Sequence, residues 1–319
     1  MRIGLIASAP DHPLLAAAGA LLTAAGHRVE ALDPAGRAGE GPLADAYLLK
    51  ARTPAALALA RSLEERGAPV VNSAAATEFC QDRTAMAELA RRAGVPFAPT
   101  RTADRPAVLL AAAEAGELAF PLVLKSRHSR RHDLVARVDD LARLRALAEE
   151  WADEPVVAQP YLPSTGWDQK LWVVAGQLFC TRRRSELADP DHTGLPHGVG
   201  GPGPAGGSGP GGGSGPGGGS GPVDGFGPDE LPAERAGLAL RVGEVFGLDV
   251  YGVDLLDGPD EPVVVDVNAF PGIRGQAGAP EALAALALRA AAAGTRERPS
   301  VPGPRAGAPA DAGPPAAAR

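Results

Sequence analysis

The chain has 319 residues, enough for one large domain or two to three small ones, and 45% of them are hydrophobic. Aromatic residues make up only 4%, so its cores must be built from Leu, Val and Ala. A net charge of −7 argues against a general nucleic-acid binder. No apolar run reaches the roughly 18 residues of a membrane span, and no charged-then-apolar signal pattern opens the chain. Cys80 and Cys180 lack Cys-x-x-Cys spacing, which fits a reducing cytoplasm and no structural zinc.

Residues 1–98 alternate between strand and helix. Ile3–Ala7 reads as a strand, Pro13–Ala25 as a helix closed by Gly26, Val29–Leu32 and Ala46–Leu49 as strands. Thr53-Pro54 starts a helix that Gly67 ends, and Pro69–Asn72 is a fourth strand. This alternation predicts a small parallel sheet wrapped by helices. The first loop, Ser8-Ala9-Pro10, is not a Gly-x-Gly-x-x-Gly fingerprint, so a dinucleotide site is not expected. Asp82 is placed to cap a helix over Arg83–Ala93, with Gly94 at its end.

Phe120–Lys125 is an apolar strand ending in Lys, and Leu134–Val138 is its neighbour. Between them, residues 126–132 carry three Arg, two His and no Gly. Guanidinium forks can hold phosphate, so this loop reads as a basic lid, with a solvated charge cluster as the alternative. His128 and His132 are four apart, but the segment is not convincingly helical, and a histidine metal site is not expected. Residues 139–150 read as a helix with Leu141, Leu144 and Leu147 on one face, and Val156–Tyr161 as a strand. In Gly166–Gly176, Asp168 and Lys170 alternate onto one face of a further strand. The next strand, Gln177–Thr181, runs into Arg182-Arg183-Arg184. Residues 198–228, with Gly-Gly-Ser-Gly-Pro three times, read as a flexible loop. A helix is expected from Asp229 to Phe246 and another over 280–293, before a Pro/Ala/Gly tail that reads as disordered.

The densest chemistry lies between these helices. Val250–Leu256 and Pro262–Val267 read as a hairpin turned at Gly258-Pro259. Asp266 and Asn268 are two apart and share a face, and Asp254 on the partner strand can meet them. A carboxylate inside Val-Val-Val-Asp-Val is costly to bury unless it is neutralised. Two carboxylates and an amide oxygen suit a hard cation such as Mg²⁺. Polar residues at strand ends are the plain alternative.

Gly-Val-Asp254, followed by Asp266-Val-Asn268 and Phe-Pro-Gly, resembles the metal motif of the ATP-grasp superfamily, closest to RimK-type (alpha-L-glutamate ligase-like) amino-acid ligases. Val-Asn-Ser, Asp82-Arg83, Ala-Gly-Val-Pro and Pro99-Thr100 resemble the same family. The resemblance implies a mixed α/β and α+β fold, a Rossmann-like pre-ATP-grasp domain followed by a two-lobed ATP-grasp domain. The expected divisions are 1–98, small lobe 99–162, large lobe 163–294 with the 198–228 insertion, and tail 295–319.

By the same resemblance, Asp254, Asp266 and Asn268 would hold Mg²⁺, with Mn²⁺ as an alternative, against ATP. Lys125 and Arg83 would reach phosphates. Gln159, Pro160, Tyr161 and Leu162 would form the adenine hinge, with Asp168 also in the nucleotide site. Lys170 would face the substrate or γ-phosphate, and Arg184, counted from Gly176, would stabilise the transferred phosphoryl group.

The implied activity is an ADP-forming carboxylate–amine ligase that works through an acyl phosphate on small-molecule or peptide substrates, possible as a homo-oligomer. Two alternatives stand: an ATP-grasp kinase of an anionic small molecule, and a non-catalytic nucleotide-binding module. Four departures from the family motivate the last: Arg83 where Lys is usual, Asp266 where Glu is usual, no Gly-rich loop, and the linker at 198–228.

Overall fold

A computed structural model describes residues 1–36, 41–130, 132–162, 167–184, 231–257 and 261–294, without the side chains of 167–168 and 182–184. The repeat at 198–228, the turn at Gly258-Pro259 and the tail from 295 lie outside the described residues.

Three four-stranded sheets follow one another. The first is parallel, in the order β2-β1-β3-β4, from β1 (Arg2–Ile6), β2 (Arg28–Leu32), β3 (Ala46–Leu49) and β4 (Val70–Val71). Helices α1 (Pro13–Ala24) and α2 (Pro54–Glu65) cover its two faces. Each begins with a side-chain cap and a proline: His12 accepts from the Leu14 amide, and Thr53 from the Ala56 amide. Short α3 (Ala74–Phe79), capped by Ser73, was not legible in the sequence, whereas α4 (Arg83–Arg92) begins at the predicted Asp82 cap.

The second sheet is antiparallel, ordered β5-β8-β6-β7, from β5 (Arg101–Ala103), β6 (Leu122–Ser126), β7 (Val135–Val138) and β8 (Val156–Pro160). It buries an aliphatic core against α5 (Pro106–Glu114) and α6 (Leu141–Glu150). The third, also antiparallel, is ordered β10-β9-β11-β12, from β9 (Trp167–Val174), β10 (Gln177–Arg184), β11 (Val250–Asp257) and β12 (Pro262–Ala269). Strand alternation divides its residues. Leu171, Val173, Val253 and Val267 face a core shared with α7 (Ala233–Phe246). The other face carries the polar residues described below. Gly247 ends α7 at φ +66°, a left-handed position that glycine adopts without strain.

Two helices pack across the boundaries read from the sequence. Helix α8 (Ala279–Ala293) lies against α1 and joins the core of the first sheet. Helix α4 joins the core of the third sheet beside α7. Asn72, fully buried at the end of β4, ties these units further. Its side chain donates to Val250 O at 2.7 Å and accepts from the Asp249 and Val250 amides at 2.9 and 3.0 Å. The Asn of the Val-Asn-Ser motif therefore anchors the start of β11.

Candidate functional site

The site is built on the open face of the third sheet. Strand register sets Lys170 opposite Asp254 and Asp254 opposite Asp266, so the three form one row across β9, β11 and β12. One step along, Trp172, Gly252 and Asn268 form the next row. A side chain at Gly252 would come within 3.2 Å of Pro271 and 3.3 Å of Trp172, so glycine there lets both close over Asn268's row. Opposite residues in an antiparallel pair share a face, and the three oxygen-bearing residues predicted as metal ligands are therefore brought together.

Cations face this row. Lys170 Nζ lies 3.4 Å from Asp254 Oδ1. Arg83, at the start of α4 and buried, lies 3.5 Å from Asp266 Oδ2 and donates to Asp133 Oδ2 at 2.8 Å and Ser126 O at 2.7 Å. Burial disfavours its charge, but Asp266 and Asp133 hold its pKa above the usual value. Its Nε is buried with no hydrogen-bond partner among the described residues, a donor still to be used. Lys125, at the end of β6, donates to Val265 O at 3.1 Å. Burial pulls its pKa down, opposed by Asp266 and Asp254. These residues fit a hard divalent cation: both carboxylates have cations only at 3.4–3.5 Å, which leaves lone pairs for a shorter oxygen–metal contact.

The residues expected at the hinge lie at and just after the end of β8. Gln159 is buried and donates to Thr100 Oγ1 at 3.0 Å, so its amide serves the fold of the second sheet. The Tyr161 amide donates to Pro121 O at 3.1 Å, and the Tyr161 ring carries Arg137 at 4.2 Å. Exposed Pro160 and half-buried Leu162 flank it.

The side chains of Asp168 and Arg184 lie outside the described residues. Backbone register pairs Arg184 with Trp167 and Arg183 with Asp168.

The loop 126–132 corrects the sequence reading of a basic lid. Arg127 makes a forked ion pair with Asp82, the closest contact at 2.7 Å, and Arg130 another with Glu154 at 2.6 and 2.7 Å. The backbone is pinned too: Arg127 N to Pro155 O, Ser129 N to Gln81 O, and Arg83 N to Arg127 O. Burial raises the Asp82 pKa, but Arg127 and the capped amides outweigh it and hold the carboxyl below its usual range. Arg131 lies outside the described residues.

A model of the RimK-like ATP-grasp domain matches residues 227–282, which contain the whole hairpin. The solved RimK-domain ATP-grasp protein of Sphaerobacter thermophilus superposes with a TM-score of 0.65 at 24% identity, over 90% of this chain and 100% of that one. The chain has an ATP-grasp fold. The Bacillus anthracis D-alanine–D-alanine ligase shares it over 92% of this chain and 97% of its own, with TM-score 0.61 and 17% identity.

Among curated relatives, a probable alpha-L-glutamate ligase of Thioalkalivibrio sulfidiphilus is 50% identical over 44 residues, 14% of each chain. Another, of Saccharophagus degradans, is 24% identical over 68% of this chain and 65% of its own length. The matches thus span less than two thirds of these relatives.

Around this ATP-grasp face the structure adds residues the sequence did not single out. Asp133 holds Arg83. Lys50, at the end of β3, donates to Phe270 O at 3.2 Å and Pro271 O at 2.9 Å. An apolar strand ending in Lys was the signal read at Lys125, and Ala46–Lys50 carries the same one. Phe270 adopts φ +44°, a left-handed conformation rare for an aromatic residue, directly after the metal-type strand.

Proposed function

We propose that the protein is an ATP-dependent carboxylate–amine ligase that activates a carboxylate as an acyl phosphate and releases ADP and phosphate. The observation that carries this is the Lys170–Asp254–Asp266 row with Asn268 beside it, flanked by Lys125 and Arg83. The relatives named above as ligases support the same activity.

Asp254, Asp266 and Asn268 would hold Mg²⁺, which when bound neutralises phosphate charge. Lys125 retains two N–H donors beyond Val265 O, and Arg83 retains Nε, so both can bind ATP phosphates. Lys170 leaves Asp254 for the γ-phosphoryl group, and Arg184 completes the charge balance. The backbone at Pro160–Leu162 serves the adenine edge, and Asp168 lies beside the nucleotide. The substrate carboxylate oxygen attacks the γ-phosphorus, and ADP leaves. The amine then attacks the acyl carbon, loses a proton and expels phosphate. Such transfers need positioning and charge more than covalent help from the protein.

A hydroxylamine trap tests this. Protein, Mg·ATP, hydroxylamine and pools of amino acids and short peptides are incubated, and hydroxamate and ADP are quantified. Hydroxamate that is lost in Asp254→Ala is the expected result. ADP that rises with a hydroxyl-bearing acceptor and no hydroxamate would overturn it in favour of a kinase.

A further inference from the structure

The N-terminal sheet contributes a second polar cluster, against the loop 270–274 that follows Asn268. His12 is 8% exposed and caps α1, its Nδ1 accepting the Leu14 amide at 3.3 Å. In the neutral ring the proton is therefore on Nε2, and this N–H is buried with no hydrogen-bond partner among the described residues. It faces Gly272, lying 3.7 Å from where a β-carbon on that residue would stand. Across the same loop, Lys50 has two of its three N–H groups on the Phe270 and Pro271 carbonyls and one remaining.

Arg52 and Arg274 act on this pair: together with burial they hold Lys50 down to about 8, and Lys50 and Arg274 help burial hold His12 at about 4. Asp11 is the carboxylate that opposes them at His12. The orphaned N–H of His12, the remaining N–H of Lys50 and the N-terminus of a 12-residue helix thus meet at the loop 270–272.

We propose that His12 and Lys50 form an anion subsite that holds a carboxylate of the substrate against Gly272, an inference that rests on the ligase function above. Gly272 is four residues from Asn268, at most ~14 Å along extended chain, so one substrate of amino-acid or short-peptide size reaches both. Gly272 itself leaves the space in front of Nε2 open, since its backbone is not in the left-handed region and does not require glycine.

The test is binding without turnover. The full chain, labelled with nitrogen-15 in histidine and backbone and free of nucleotide, is titrated with acetate, L-glutamate, acetamide and inorganic phosphate. Acetate and glutamate should move the His12 Nε2–H and Leu14 amide resonances, and acetamide should not. His12→Asn keeps a capping oxygen and removes the ring N–H; it and Lys50→Met should each weaken carboxylate binding about tenfold or more. Gly272→Ala should block it. Resonances that ignore carboxylates, or that answer phosphate alone, would overturn the assignment. Hydroxamate formation run in parallel separates the two claims. Carboxylate binding without hydroxamate contradicts the ligase and leaves the subsite. Hydroxamate with an unchanged carboxylate KM in Gly272→Ala and Lys50→Met contradicts the subsite alone.

Discussion

The β11–β12 hairpin and the loop 126–132 both drew attention as charged segments, and they came out differently. On the hairpin, strand alternation and a fixed register determine where each side chain goes, so Asp254, Asp266 and Asn268 had to meet once the strands paired. The loop has no such constraint. Its Arg127 and Arg130 found carboxylates far away in sequence, Asp82 and Glu154, and a segment that read as a lid is tied down on both sides. A periodic element converts spacing into geometry, whereas a charge run gives only composition.

The sharpest way to break this comparison is at the hairpin. Asp254→Asn or Asp266→Asn should lower hydroxamate formation by about a thousandfold, as removal of electrostatic stabilisation does, with little loss of folded protein by circular dichroism. Arg83→Met comes next. It leaves Asp133 and Asp266 without their buried partner and should cost about 3 kcal/mol in urea unfolding, while Arg83→Lys should recover part of it.

At the loop the expected effects are smaller. Asp82→Ala removes a helix cap and the anchor of Arg127, which should cost about 1–2 kcal/mol. Arg130→Ala should cost less than about 1 kcal/mol and leave the KM for ATP unchanged; a large rise in that KM would restore the lid. For pH, His12 is held at about 4 against 6.5 unfolded. The unfolded chain therefore binds more protons in that window, and stability should fall as pH drops from 6.5 towards 4. The slope of melting temperature against pH should flatten in His12→Asn.

Much of the fold was legible because the chain marks its elements with local signals: Thr53-Pro54, Asp82 and the alternating β11 and β12 lie where the sequence put them. The short elements β5 and α3 carry too few residues for a period to show. Partners remote in sequence were invisible for a different reason. Nothing local tells that Gln159 will bond Thr100, that Tyr161 N will bond Pro121 O, or that α8 will return to α1. Likewise His12 read as nothing beyond a residue before Pro13, and its meaning comes from Gly272, which only the fold brings near.

The most direct measurement follows oxygen-18 from the carboxylate substrate that the trap identifies. If the hairpin face drives acyl-phosphate chemistry, the label appears in the released phosphate, and Asp254→Asn abolishes both label transfer and ADP. Amide product with ADP but unlabelled phosphate would contradict the account.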